Sequence, residues 1–180
     1  MYPEINREVI EKSKQGEVRA QYDLYRKYAK AMYNISYRIM GSVEEAEDML
    51  QDAFAEAFRK ISSYKYESAF GAWLKRIVIN RCINEVKRSK INLDFFDDMI
   101  VFDSDENNDE EVQGLSVEAV RNAMEQLPRG NKIIFSLYLL EGYDHKEIAQ
   151  ILNTSESNSK SQYMRAKRRV KEILSSANHG

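Results

Sequence analysis

Cysteine is nearly absent from this sequence. Cys82 stands alone in 180 residues, which excludes an internal disulfide and a thiolate-rich metal site. The two histidines, His145 and His179, lie far from it in the chain, so we expect a reducing compartment, no structural zinc and no cofactor. Long apolar runs are missing as well. No window approaches the length of a spanning helix, and the opening MYPEINREVIEK has no apolar stretch behind a basic start. The expectation is a soluble, cytoplasmic protein. Proline occurs at Pro3 and Pro128, glycine seven times, leaving long uninterrupted stretches in which alternating apolar patterns are scarce. An all-α fold is expected.

The net charge of −2 conceals an uneven distribution. DFFDDMIVFDSDENNDEE, Asp94 to Glu111, carries nine acidic residues and no lysine or arginine, leaving 27 basic against 20 acidic residues elsewhere. The segment lacks a helical period, contains Asn107-Asn108 and precedes Gly114, so it reads as a linker between two domains. It is either a solvated spacer or an acidic strand that imitates nucleic acid in a partner's basic channel.

The first half resolves into successive helices. One covers roughly Ile5 to Gln15 and stops at Gly16; a longer one runs from Val18 to Met40, with Leu24, Tyr28, Ala31, Ile35 and Ile39 on one face and Gly41 as its stop. Ser42 and Glu45 have capping-box spacing. The helix they open runs to about Ile61, with Ala46, Met49, Leu50, Ala53, Phe54, Ala57 and Phe58 as its apolar stripe. Glu45, Asp48, Asp52 and Glu56 line up opposite, as an ordinary solvated face or as an interface.

AFGAWLKRIVINRCINEVKRSK, Ala69 to Lys90, holds the chain's one tryptophan and its one cysteine. Helical phase gives Trp73, Leu74, Ile77, Val78 and Val86 a buried side, whereas Arg76, Asn80, Asn84 and Arg88 recur every fourth position beside Lys75, Arg81 and Lys87. Arginine and lysine suit phosphates, and asparagine both donates and accepts at a base edge. In the preceding SSYKYESAF, Tyr64, Lys65 and Tyr66 adjoin Phe70, the mixture that stacking on an unpaired base requires. Taken alone, such a face is more often plain surface.

In the second half, EAVRNAMEQLP is an amphipathic helix stopped by Pro128, and NKIIFSLYLLEGY a strongly apolar one ending at Gly142. Asp144 caps a short helix with Ile148, Ala149 and Leu152 inward. Asn153 sits at a turn that tolerates the left-handed conformation, and Ser155 caps the next helix. That is a helix-turn-helix, and its second helix carries six basic residues and no acid between Ser157 and Lys171.

Taken in order, EEAEDMLQDAFAEAF, FGAWLKRIVINRCINEVKR, the acidic linker and LPRGNKIIFSLYLLEGYDHKEIAQILNTSESNSKSQYMRAKRRVKEIL resemble a bacterial RNA polymerase sigma factor of the extracytoplasmic-function (ECF) group, sigma-70 family. The resemblance implies two small helical domains: 1–91 (region 2) and 115–180 (region 4), joined by a flexible acidic linker, 92–114. It implies that Ala46 to Phe54 docks on the polymerase clamp helices, with Glu45, Asp48, Gln51, Asp52, Phe54 and Glu56 at that interface. Minus-10 DNA falls to Tyr64, Lys65, Tyr66, Phe70, Trp73, Arg76, Asn80, Asn84, Lys87 and Arg88, and the Tyr64 to Ser68 loop captures a flipped base. Minus-35 DNA falls to Ser157, Lys160, Ser161, Met164, Arg165 and Arg168. The partners so implied are core RNA polymerase and promoter DNA, double-stranded and melted. An anti-sigma factor or a separate DNA-bound recruiter is left open as a third.

Two departures from the family pattern stand out. Asn153 replaces the usual turn glycine, and Asn158-Ser159 stands where a Thr-Val pair is common. Ser159 shares a face with Tyr163, Ala166 and Val170, so a hydroxyl is expected to replace an aliphatic anchor of the recognition helix, costing about 1–2 kcal/mol. The base-facing positions include one long donor, Lys160, and no arginine except Arg165 at the edge, which predicts weak minus-35 reading. A stand-alone helix-turn-helix regulator would leave the first ninety residues without a role. An enzyme is disfavoured, because no phosphate loop, metal-ligand cluster or nucleophile–base pair is present.

Overall fold

The computed structural model describes residues 7–89, 93–95 and 116–177, and among these every regular element is helical. The chain divides into two compact units, Met1–Ile91 and Asn92–Gly180.

In the first unit α1 (Arg7–Lys14) packs on α2 (Val18–Met40), which forms a three-helix core with α3 (Val43–Lys60) and α4 (Phe70–Arg88). A 3-10 turn, Ile61–Ser63, follows α3. The ends follow local chemistry. Gly41 takes φ 79° and donates its N–H to the Tyr37 carbonyl at 2.8 Å, ending α2. Ser42 then accepts the Glu45 N–H at 3.2 Å and starts α3. Leu24, Ala46, Ala53, Leu74, Val78, Ile79 and Cys82 are all at 0% exposure. On α4 the buried positions are Phe70, Leu74, Val78, Ile79, Cys82, Ile83 and Val86. That face is wider than the sequence reading allowed, because α2 and α3 both pack on it. Trp73 and Ile77, expected inside, lie at its half-buried margin.

The second unit contains α5 (Val117–Met124), α6 (Arg129–Leu139), α7 (His145–Leu152) and α8 (Glu156–Ala177), with α5, α6 and α7 all against α8. Pro128, expected to stop the preceding helix, is instead the N-cap of α6; α5 already ends at Met124, with Glu125 as its C-cap. Asn131 is fully buried, and its Nδ2 donates to the backbone oxygen and Oε1 of Gln162 at 3.1 and 2.8 Å, joining α6 to α8. Apart from 93–95, the acidic linker lies outside the described residues. Those three residues do not belong to a free spacer. The Asp94 carbonyl accepts the Gly130 N–H at 2.8 Å, and a Cβ at Gly130 would run into the Phe95 ring.

Leu74 is at 0% exposure in the middle of α4. Leu74→Ala is expected to destabilise the first unit by about 2–5 kcal/mol. Urea unfolding followed by circular dichroism checks this, and an unchanged midpoint would contradict the packing described.

Candidate functional site

The outer faces of α3 and α4 lie side by side. Glu45, Asp48, Gln51 and Asp52 are exposed along α3. Glu56 is half-buried, with its Oε1 2.5 Å from Lys60 Nζ. Phe54 departs from the interface reading. It is 4% exposed, set edge-on to Tyr25 at 4.9 Å and tilted against Phe58, so its ring serves the core.

On α4, Arg76, Asn80, Asn84, Lys87 and Arg88 are all exposed, as the fourfold spacing predicts. They are not uniformly available. Arg88 makes a two-pronged contact with Glu85 at 2.9 and 2.8 Å, which holds the Glu85 carboxyl below its ordinary range. Arg81 reaches across to Asp52 at 2.8 Å, and this bond raises its affinity for its proton. Asp48, Met49, Gln51, Asp52, Arg81, Glu85 and Arg88 line one shallow depression, the seam where the acidic and basic rows meet. Both partners of the Arg81–Asp52 pair are largely exposed, which limits it to about 1 kcal/mol or less.

The loop before α4 is an aromatic cluster. Tyr64 is 4% and Phe70 5% exposed, and these rings meet edge-to-face at 5.4 Å, each also 5.4 Å from Trp73. Both were expected to touch DNA. They form the floor instead, and Lys65, Tyr66 and Trp73 carry the exposed and half-exposed surface. The Tyr64 hydroxyl donates to the Ser68 carbonyl at 2.6 Å and so closes the loop. Tyr66 has φ 62°, the left-handed region that costs a ring-bearing residue about 1–3 kcal/mol.

In the second unit Asp144 forms a complete capping box with Glu147, Asn153 occupies the left-handed turn at φ 55°, and Ser155 accepts the Asn158 N–H at 3.0 Å. The helix-turn-helix is therefore formed by α7 and α8. Ser157, Lys160, Met164 and Arg168 are exposed on α8, and Ser161 and Arg165 half-buried. Lys160 pairs with Glu156 one turn back, at 2.8 Å. The expected loss of an anchor at Ser159 is not what the structure shows. Ser159 is 0% exposed and shares a hydrogen bond of 2.9 Å with His145 Nδ1. The hydroxyl has a buried partner, so the recognition helix is held by a polar contact where an aliphatic one was expected.

Residues 24–91 match the model of sigma-70 region 2, and residues 117–170 that of sigma-70 region 4. The chain belongs to the sigma-70 family, as an ECF sigma factor. Among its relatives, the ECF sigma factor SigM of Mycobacterium tuberculosis (strain Erdman) is 27% identical over 175 residues, covering 97% of this chain and 87% of that protein. The sigma-H factor of Pseudomonas aeruginosa is 26% identical over 182 residues, with 95% and 94% covered. CnrH, solved in complex with the cytosolic domain of CnrY, shares the fold at a TM-score of 0.55 and 18% identity, over 94% of this chain and 97% of that one. Sigma-70 factors are transcription initiation factors, and this one binds core RNA polymerase and recognises promoter DNA. Among the described residues no helix is long and apolar enough to cross a membrane.

Two side-chain contacts of this sigma factor escaped sequence reading. The Arg81–Asp52 bridge spans 29 positions, and periodicity within one helix carries no signal for it. The His145–Ser159 bond was equally hidden, although a histidine at the first position of a short capped helix, facing a serine on the next one, was the available clue. His145 also stacks on Tyr138 at 4.5 Å and lies 5.5 Å from the Tyr163 ring. Burial, followed by the nearby Lys160 charge, pushes its pKa below the ordinary 6.5, while Glu156 and Asp144 oppose this more weakly.

A histidine whose pKa is lowered on folding contributes stability that is complete above about pH 6.5, its unfolded value, and is lost as the pH falls from there through the lower value of the folded state. The wild-type second unit is thus expected to lose more thermal stability than a His145→Gln variant between about pH 7.5 and 5.5. Parallel losses in the two proteins would show that this histidine does not carry the effect.

Proposed function

We propose that the sigma factor divides its tasks by helix, with the α3 row docking on a basic helix of core polymerase and the α4 row reading the minus-10 element. The observation that carries this reading is the seam itself: an exposed carboxylate row and an exposed Arg/Asn row lie on adjacent helices of one small unit. Carboxylates in series suit a cationic partner helix, and alternating cationic and amide side chains suit phosphates and base edges. Phe54 and Glu56 contribute support more than contact, the first from the core and the second through Lys60. Lys65, Tyr66 and Trp73 present the surface on which an unstacked base lands. The protein works in the cytoplasm, where the polymerase is.

In a pull-down with core polymerase, the Asp48→Lys/Asp52→Lys/Glu56→Lys variant is expected to bind at least about tenfold more weakly than wild type, since like charges facing each other cost several kcal/mol. Equal binding by the two would remove the α3 assignment. If neither bound polymerase and both held duplex DNA, a stand-alone regulator would be the better reading.

The second unit reads the minus-35 element through Ser157, Lys160, Ser161, Met164, Arg165 and Arg168, and it reads weakly. Lys160 is the one long donor at the centre of this set and is already paired with Glu156, with the arginines towards its edge; strong discrimination rests on bidentate donors. A second DNA-bound protein then helps place this factor, and an anti-sigma protein that covers these surfaces would restrain it. In a minus-35 substitution scan with polymerase alone, single changes should alter initiation by less than about fivefold. Sharp dependence at two or more positions would overturn weak reading.

A further inference from the structure

Periodicity assigns α1 no role, yet the structure ties it to the loop before α4 across 50 and 55 positions of chain. The Tyr66 hydroxyl donates to Glu11 Oε1. Lys14 Nζ donates to the Tyr64 carbonyl oxygen at 3.0 Å and pairs with Glu11 at 3.2 Å. The Tyr66 ring has the Arg7 guanidinium 4.4 Å and the Lys14 ammonium 4.6 Å from its centroid. Behind these side chains α1 is firmly seated, with Ile10 3% and Ser13 1% exposed.

The stem of the loop supports itself, because the Tyr64 ring is packed against Phe70 and Trp73 and its hydroxyl closes on Ser68. The tip is different. Tyr66 sits in the left-handed region, which a ring-bearing residue keeps when its surroundings hold it there; its ring tilts against Tyr64 at 4.7 Å, and the group that takes its hydroxyl and the two cations against its ring come from α1. Extruding a base is costly and is recovered through fit, so a capture loop that wandered between shapes would both hold and distinguish bases poorly. Tyr66, followed by Lys14, holds the Glu11 carboxyl below its ordinary range, so the grip stays ionised at neutral pH.

We propose that α1 is a clasp for base capture, in which Glu11 and Lys14 are positioning residues that hold the 64–68 loop in the shape that accepts one unstacked base and rejects others. This rests on the reading of that loop as the capture site and adds what sets its selectivity. The clasp is distinct from the polymerase-docking row and from the α4 row.

The test uses the full chain with core polymerase, on promoters in which each position of the opened non-template strand is varied through four bases, with opening read by permanganate reactivity. Wild type should discriminate by about fivefold or more at the captured position. Glu11→Gln/Lys14→Met, and separately Tyr66→Phe, should fall below about twofold there while keeping polymerase affinity and the preferences at other positions. Lys14→Arg, which keeps a donor for the Tyr64 carbonyl, should retain discrimination. Undiminished selectivity in the clasp variants, or an equal loss at every position together with lost helicity, would overturn the proposal. Failure of wild type to bind polymerase or to discriminate at any opened position is a separate result, which removes the capture-site reading and the clasp with it.

Discussion

The burial of one face of α4 governs what the first unit presents. Leu74, Val78, Ile79 and Cys82 reach 0% exposure between α2 and α3, and rolling the helix about its axis would carry Arg76 or Asn80 into that core. An unpaired charge or amide there costs far more than helix propensity contributes. Arg76, Asn80 and Asn84 therefore point outward because the opposite side is costly to expose. The tilt of the row is inherited from hydrophobic packing, and the loop ahead of it inherits its floor from the same cluster through Phe70.

Polar contacts then adjust what packing has oriented. Asp52 and Arg81 tie the two rows at a cost of availability to each, and a basic partner competing for Asp52 would release Arg81 from that pair. Ser159 and His145 show the reverse economy. Where an aliphatic anchor was expected the chain has Ser159, and the buried hydroxyl is matched with a ring nitrogen from α7. The recognition helix keeps its seat, so the weakness proposed for minus-35 reading belongs to the side chains that face the groove.

Much of this was legible in the sequence wherever the determinant is local. The stop at Gly41, the Ser42 cap, the left-handed Asn153 and the outward α4 row are each decided by a few neighbouring residues. The burial of Phe54 and Phe70 was not legible, because a sequence displays an aromatic without saying which neighbour will cover it; Tyr25 and Tyr28, far upstream, pack on them. The α1 contacts were invisible for the same reason, since no period links Glu11 to Tyr66. Within the expected linker, Asp94 and Phe95 sit against Gly130, a contact that its acidity and lack of period gave no reason to anticipate.

Cys82, read at first as the residue that excludes a disulfide, has a consequence for how this factor meets its surroundings. It lies at 0% exposure in the α4 core, and burial pushes its thiol up to about 11. Nucleophilic attack requires the thiolate and access to it, so oxidants and alkylating agents at neutral pH meet an inert sulfur. Cys82 is therefore poorly placed to act as a thiol switch. By the same chemistry, a single cysteine introduced on the surface would be the sole reactive handle, reporting on polymerase or promoter contact without interference from within.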